Sequence, residues 1–348
     1  MKHCILLAAV CVIAAVFLPL LLFRGASSEA LLSVPEIVTA AENSPAPSAP
    51  PQESAVTEVE RTRIIVTPKP TPASADEAYR FSFRHDGVTE EISMAEYLPG
   101  VLAGEMPSAF EKEALRSQAV AARTFVLYHI LHGNAKHPDA AVCDDPNCCQ
   151  VWLSEKEREN FDTEKLLSAV RDTDGLYLSY ADEPILACFH ASSAGYTESV
   201  AALWGTALPY LTGVSSPETA EDVPNFVTTV ELAPAELGRL VQEAYPEAML
   251  GGKPEEWLGI CSRDTSGRVS TLELGGVSIP GTKARSLFSL RSAAFTVEWT
   301  GHSFLFTVTG SGHGAGMSQY GANVMAQQGS DYEAILAHYY QGAELVSY

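Results

Sequence analysis

Residues 93–124 read Ser93-Met94-Ala95-Glu96-Tyr97-Leu98-Pro99-Gly100-Val101-Leu102-Ala103-Gly104-Glu105-Met106-Pro107-Ser108-Ala109-Phe110-Glu111-Lys112-Glu113-Ala114-Leu115-Arg116-Ser117-Gln118-Ala119-Val120-Ala121-Ala122-Arg123-Thr124. Serine followed three residues later by glutamate occurs twice, at Ser93/Glu96 and Ser108/Glu111. Each pair has the form of a capping box, so two helices are predicted, the first short and interrupted or kinked at Pro99 and Gly100. The second is predicted to run to about Ile130. Its alanines (Ala114, Ala119, Ala121, Ala122) would let neighbouring elements approach closely, which marks it as central. Between the helices, Gly104-Glu105-Met106-Pro107 forms a turn beside a helix start.

Working outward, residues 79–92 alternate in places around Asp86-Gly87, a hairpin signal. Alternation returns over 172–190 and 303–309, and a helix followed by several strands is predicted over 229–300. A glycine-rich loop, Gly310-Ser311-Gly312-His313-Gly314, precedes a helix over about 317–328 that Gly329 stops. Ser330-Asp331-Tyr332-Glu333 caps a last helix. Helices and strands mix without a βαβ rhythm, so the expected class is α+β, mixed helices and antiparallel strands forming a substrate cleft.

The N-terminal part is different. Residues 5–23 are a charge-free apolar run long enough to span a bilayer. A retained single-pass anchor is expected over 1–24, with cleavage near Gly25-Ala26-Ser27-Ser28 as the alternative. Residues 25–78 are rich in Pro, Ala, Ser and Thr and cannot bury enough apolar surface to fold; they read as a disordered stalk. The folded domain is then expected over 79–348. A formal net charge of -21 argues against nucleic acid as a partner and does not favour an anionic membrane surface.

Glu105 lies beside Met106, Pro107 and Phe110. Apolar surroundings would raise its pKa and suit a general acid; the plainer reading is a glutamate stabilised by a helix N-terminus. Arg123, set among alanines, needs a partner, which a substrate or a structural salt bridge could supply equally well. Of seven cysteines, Cys4 and Cys11 fall in the apolar run, and the clustered remainder does not look like a disulfide framework. His137, Cys143 and Cys149 recur at matched spacing in a turn-rich loop, with Cys148 adjacent. Imidazole and thiolate suit zinc, although three ligands plus water would also describe a catalytic metal. His190-Ala191-Ser192-Ser193-Ala194-Gly195-Tyr196-Thr197 offers hydroxyls and an imidazole, for a sugar or for the loop's own backbone. For the second glycine-rich loop, close backbone approach is simpler than phosphate binding, since no P-loop pattern is present.

Taken together, 96–107, 113–124, 189–197 and Gly312-His313-Gly314-Ala315-Gly316-Met317-Ser318-Gln319-Tyr320-Gly321-Ala322 resemble the stage II sporulation protein D family. The resemblance implies a lytic transglycosylase that cuts peptidoglycan glycan strands to 1,6-anhydro-muramyl ends during forespore engulfment, after an amidase has removed the stem peptides. It implies Glu105 as the catalytic residue and a structural zinc on His137, Cys143 and Cys149. Arg123, Gln118, His190, Ser192, Ser193 and His313 would then position sugars, with Tyr196 and Tyr320 as platforms. A sporulation amidase and a membrane scaffold protein are the expected partners. The anchor would hold the domain outside the mother-cell cytoplasm, facing the intermembrane space. An amidase-enhancing glycan-binding module and a zinc-dependent hydrolase are the alternatives.

Overall fold

The computed structural model describes residues 74–348. The expected anchor and most of the stalk lie outside the described residues. Among the described residues, no helix is long and apolar enough to cross a membrane.

Strands Arg80–His85 and Val88–Ser93 form an antiparallel hairpin. Its turn residues, Asp86 and Gly87, have φ of 49° and 79°. A two-residue turn with both φ positive matches the right-handed strand twist, and Asp-Gly adopts it at little cost. Ser93 then caps helix Met94–Glu105: its hydroxyl accepts from the Glu96 N–H, and the Glu96 carboxylate accepts from the Ser93 N–H. This helix contains Pro99 in its interior and continues through it. Eight of its residues, from Met94 to Ala103, are buried, so packing outweighs the one hydrogen bond that proline removes.

The second capping box does not form. Residues 107–110 close a tight turn instead, the Phe110 N–H donating to the Pro107 carbonyl at 3.0 Å. Helix Lys112–His132 starts after it, with Glu111 as an N-cap that makes no side-chain capping bond. This helix is the axis of the first core. Its alanines Ala114, Ala119, Ala121 and Ala122 are fully buried. They let helices Met94–Glu105, Thr163–Asp172, Gln319–Gln327 and Tyr332–Tyr339 and strand Leu176–Tyr180 pack around it.

The chain leaves this core near Val223 and builds a second, separate one. Strand Phe304–Thr309 pairs antiparallel with both Phe295–Trp299 and Val227–Leu232. Strands Leu258–Arg263, Val269–Leu274 and Val277–Pro280 form another antiparallel sheet. Phe304, Phe306 and Val308 alternate inward along their strand, each buried aromatic or aliphatic side chain contributing about 1.5–3 kcal/mol. Helices Pro234–Ala244 and Gly281–Leu287 complete this second module.

Arg123 serves the interior. Its guanidinium is fully buried, bonded to both carboxylate oxygens of Asp76 at 2.8 and 2.5 Å and to the Leu176 carbonyl at 2.8 Å. Asp76 lies on helix Ala75–Ala78, which Ser74 caps with a further capping box. The end of the segment read from sequence as stalk, 74–78, therefore belongs to the folded unit.

Candidate active site

Glu105 is the last residue of helix Met94–Glu105, at the C-terminal end and not beside a helix N-terminus. There the macrodipole disfavours a negative charge. Two donors hold the carboxyl group: the Val151 N–H at 2.8 Å and Gln319 Nε2 at 3.1 Å. Burial raises its pKa, and those two hydrogen bonds oppose the rise without cancelling it.

The Val151 segment reaches Glu105 because the helix surface carries glycines at 100 and 104. A Cβ on Gly104 would lie 2.7 Å from Val151 Cγ1 and 2.9 Å from the Val151 carbonyl oxygen. On Gly100 it would lie 2.3 Å from Trp152 Nε1. Two glycines one turn apart thus make the groove in which 151–153 lies, fixed by the Leu153 N–H to the Gly100 carbonyl at 3.1 Å.

Glu105 opens into a cavity of about 460 Å³. Its walls include Val151, Cys148, Cys149, His190, His313, Trp204 and Arg285. Strand Phe189–His190 pairs with Met317–Ser318 in parallel, which brings the two glycine-containing loops together. A Cβ on Gly316 would lie 1.9 Å from the Cys188 carbonyl oxygen, so glycine here permits close backbone approach. His190 Nδ1 lies 3.2 Å from the Ala315 carbonyl, while its Nε2 is buried and without a partner. Burial, then the neighbouring His313 and Arg268, holds its pKa well below the usual imidazole value. The ring is neutral, and donation from Nδ1 leaves Nε2 as an acceptor. His313 Nδ1 accepts from the Ala315 N–H at 3.0 Å, which leaves the proton of the neutral ring on Nε2. Burial and then the Arg285 charge push its pKa down to about 4.

The remaining residues expected to touch sugar stand elsewhere. Arg123 is consumed by Asp76. Gln118 is fully buried in the central helix, with neither polar atom partnered. Ser192 and Ser193 are buried, the first pairing by its backbone with Ser311 and the second donating its N–H to Glu218. Tyr320 packs edge-on against Phe110, and Tyr196, though exposed, is not on the cavity wall. Trp204 lies on the cavity wall instead. It is 52% exposed and its ring lies 6.0 Å from that of His313. Neither Trp204 nor Arg285 belongs to a motif that sequence reasoning singled out.

His137, Cys143, Cys148 and Cys149 present ligand atoms that all lie within 4.8 Å of one another. His137 Nδ1 is 2.9 Å from the Ala140 carbonyl, which turns Nε2 toward Cys149 Sγ at 3.2 Å. The Cys148 and Cys149 sulfurs are 3.8 Å apart. Two thiolates on one tetrahedral zinc, each about 2.3 Å from it, stand about 3.8 Å apart, so the donor set fits that ion. Burial raises the Cys143 and Cys149 thiols above their ordinary pKa, so thiolates here require a cation. Cys148, adjacent to Cys149 in sequence, is brought by the fold within the same 4.8 Å as the three expected ligands.

The model of the stage II sporulation protein family matches residues 84–180. The chain is 36% identical to stage II sporulation protein D of Bacillus amyloliquefaciens over 265 residues, 74% of this chain and 75% of that protein. It is 35% identical to stage II sporulation protein D of Bacillus subtilis over 264 residues, again 74% of this chain and 75% of that one. The amidase enhancer of Bacillus subtilis is 27% identical over 309 residues, 72% of this chain and 40% of that protein. Similarity of this degree over about three quarters of the chain shows that the chain belongs to the stage II sporulation protein D family.

Proposed function

We propose that this protein is a lytic transglycosylase that cleaves the muramyl–glucosaminyl bond of peptidoglycan glycan strands during sporulation, with Glu105 as acid and then base. The observation that carries this reading is that Glu105 is the one carboxyl group among the described residues lining the cavity. Hydrolytic glycosidases need a second carboxylate, to direct water or to attack the sugar. A transglycosylase does not, because the C6 hydroxyl of the muramyl residue is the nucleophile and is already attached to the reacting ring.

The neutral carboxyl group, favoured by burial and by its place at a helix C-terminus, protonates the glycosidic oxygen. The resulting carboxylate, held by Val151 and Gln319, takes the proton from the C6 hydroxyl as that oxygen closes onto C1. Trp204 offers an apolar face to a sugar ring, and His190 Nε2 accepts from a sugar hydroxyl. His137, Cys143, Cys148 and Cys149 would hold a zinc ion whose contribution is to tie the 137–149 loop. Four protein donors leave no open position, which argues against a hydrolytic metal. Val151 follows the last donor by two residues, so the tie fixes the N–H that orients Glu105. Anchorage through 5–23 and cooperation with a sporulation amidase and a membrane scaffold protein complete the proposal.

The named amidase enhancer among the relatives favours one other reading, a glycan-binding module without chemistry. Mass spectrometry of denuded glycan incubated with the full-length protein separates them. Anhydro-muramyl ends that disappear with Glu105→Gln support the transglycosylase. Reducing ends would mean hydrolysis, and binding without cleavage would favour the enhancer.

A further inference from the structure

Arg285 lines the same cavity as Glu105 but comes from the other module, on helix Gly281–Leu287. It is the one permanent cation among the described residues of the wall. The chain has 43 acidic and 22 basic side chains, and eight of the other cations among the described residues pair with a carboxylate. Arg285 has none among the described residues, and burial lowers its pKa. It stands on the cavity wall together with His190 and His313, whose pKa values its charge helps to lower. A place in the last turn of its helix makes a positive charge tolerable. It does not explain a guanidinium half removed from water with nothing to bind, a state that costs free energy until an anion arrives.

Arginine offers two parallel N–H donors matched to a carboxylate. The glycan of the reading above carries one such group per disaccharide, the lactyl carboxyl on C3 of each muramyl sugar. While a stem peptide is attached this carboxyl is a neutral amide; removal of the peptide makes it an anion. We infer that Arg285 binds the free lactyl carboxylate of a muramyl residue and so selects strands whose peptides have been removed. The selection rests on the proposed glycan substrate, but it is a property of recognition and not of the chemical step.

The test uses the full-length protein carrying Glu105→Gln, in detergent, so that binding is measured without turnover. Calorimetry compares three ligands of equal length: N-acetylchitohexaose, denuded glycan, and denuded glycan with its lactyl carboxyls converted to methylamides. Denuded glycan is expected to bind roughly ten- to a hundred-fold more tightly than the methylamide, the range for a hydrogen bond to a charged group. Adding Arg285→Met should abolish that preference and leave chitohexaose affinity unchanged, which also reports correct folding. Arg285→Lys, keeping charge but losing the fork, should retain only part of it. A preference that survives Arg285→Met overturns the inference, as does a wild type that binds both muramyl ligands equally. Anhydro ends are scored in parallel with Glu105 intact. Their absence beside an intact carboxylate preference would sink the transglycosylase reading and leave this one standing. Their equal formation from both muramyl substrates would do the reverse.

Discussion

Replacing Gly104 by alanine tests the link between the helix groove and the acid. The added methyl would meet Val151 Cγ1 at 2.7 Å and the Val151 carbonyl oxygen at 2.9 Å. Ordinary carbon contacts lie near 3.5–4.0 Å, so the 151–153 segment must retreat by roughly 0.6–0.8 Å. That retreat stretches the 2.8 Å bond from the Val151 N–H to Glu105. Overpacking of this kind costs about 1–3 kcal/mol, and the helix propensity gained from glycine to alanine offsets about 1 kcal/mol. A net loss of up to about 2 kcal/mol should remain. Misorientation of the carboxyl group should lower kcat about ten-fold or more with little change in KM, since a sub-ångström displacement at the reacting centre is enough. The control is the same substitution at Gly238, inside helix Pro234–Ala244, where the nearest atom to an added Cβ is Trp257 Cη2 at 3.6 Å. Gly238→Ala should be stabilising by about 1 kcal/mol with activity unchanged. Thermal unfolding and steady-state release of anhydro ends measure both. If Gly104→Ala proves as stable and as active as Gly238→Ala, the groove does not position the acid and the reasoning fails.

Three other outcomes are expected. Glu105 has a raised pKa in the folded state, so the neutral acid's stability contribution is complete below the ordinary carboxyl value and is lost as pH rises through the raised one. Glu105→Gln, which imitates the neutral acid, should therefore abolish cleavage yet raise Tm at neutral pH, with the gain vanishing near pH ~4; an equal Tm effect at both pH values would contradict the burial argument. Arg123→Met leaves Asp76 buried and uncompensated and should cost about 3–5 kcal/mol, whereas Asp76→Leu with Arg123→Met should recover most of it; a folded single variant that only lost glycan affinity would restore Arg123 to substrate binding. One zinc per chain is expected by elemental analysis, and cobalt substitution should give the charge-transfer intensity of three thiolates; removing the metal should lower both Tm and turnover, and cadmium, which binds thiolates without zinc's water chemistry, should restore both. Stability without turnover in the cadmium protein would favour a catalytic metal.

What could be read from the sequence was local. The Asp86-Gly87 turn and the Ser93–Glu96 box are decided by neighbours within four residues, and both form. Ser108–Glu111 has the same letters and fails, because the turn closed by Phe110 and Pro107 displaces the helix start, a choice no four-residue pattern contains. Arg123 shows the complementary limit. A charge among alanines announced that a partner was needed, but Asp76 lies 47 residues upstream in what composition marked as stalk. Cys148 could not be ranked against Cys149 from spacing, since it is the folded loop that turns both sulfurs toward His137 and Cys143.

The residues hardest to find are those contributed from far along the chain. Glu105 is held by Gln319, 214 positions away, and shares its cavity with Arg285 from a module with its own hydrophobic interior. Neither proximity leaves a trace in local periodicity, because each side chain satisfies its own element's pattern equally well without the other. The physical signature is an unmet need: a guanidinium with no carboxylate, an imidazole nitrogen with no donor, a carboxyl group kept from water. Each is costly in isolation, and together they match the proposed substrate, which supplies an anion, a hydroxyl and a basic oxygen. A glycan freed of its peptides carries all three, the anion on C3 and the oxygen to be protonated on C1 of the same ring. The acid need not compete with the cation for that anion, because the sugar itself holds the two groups apart.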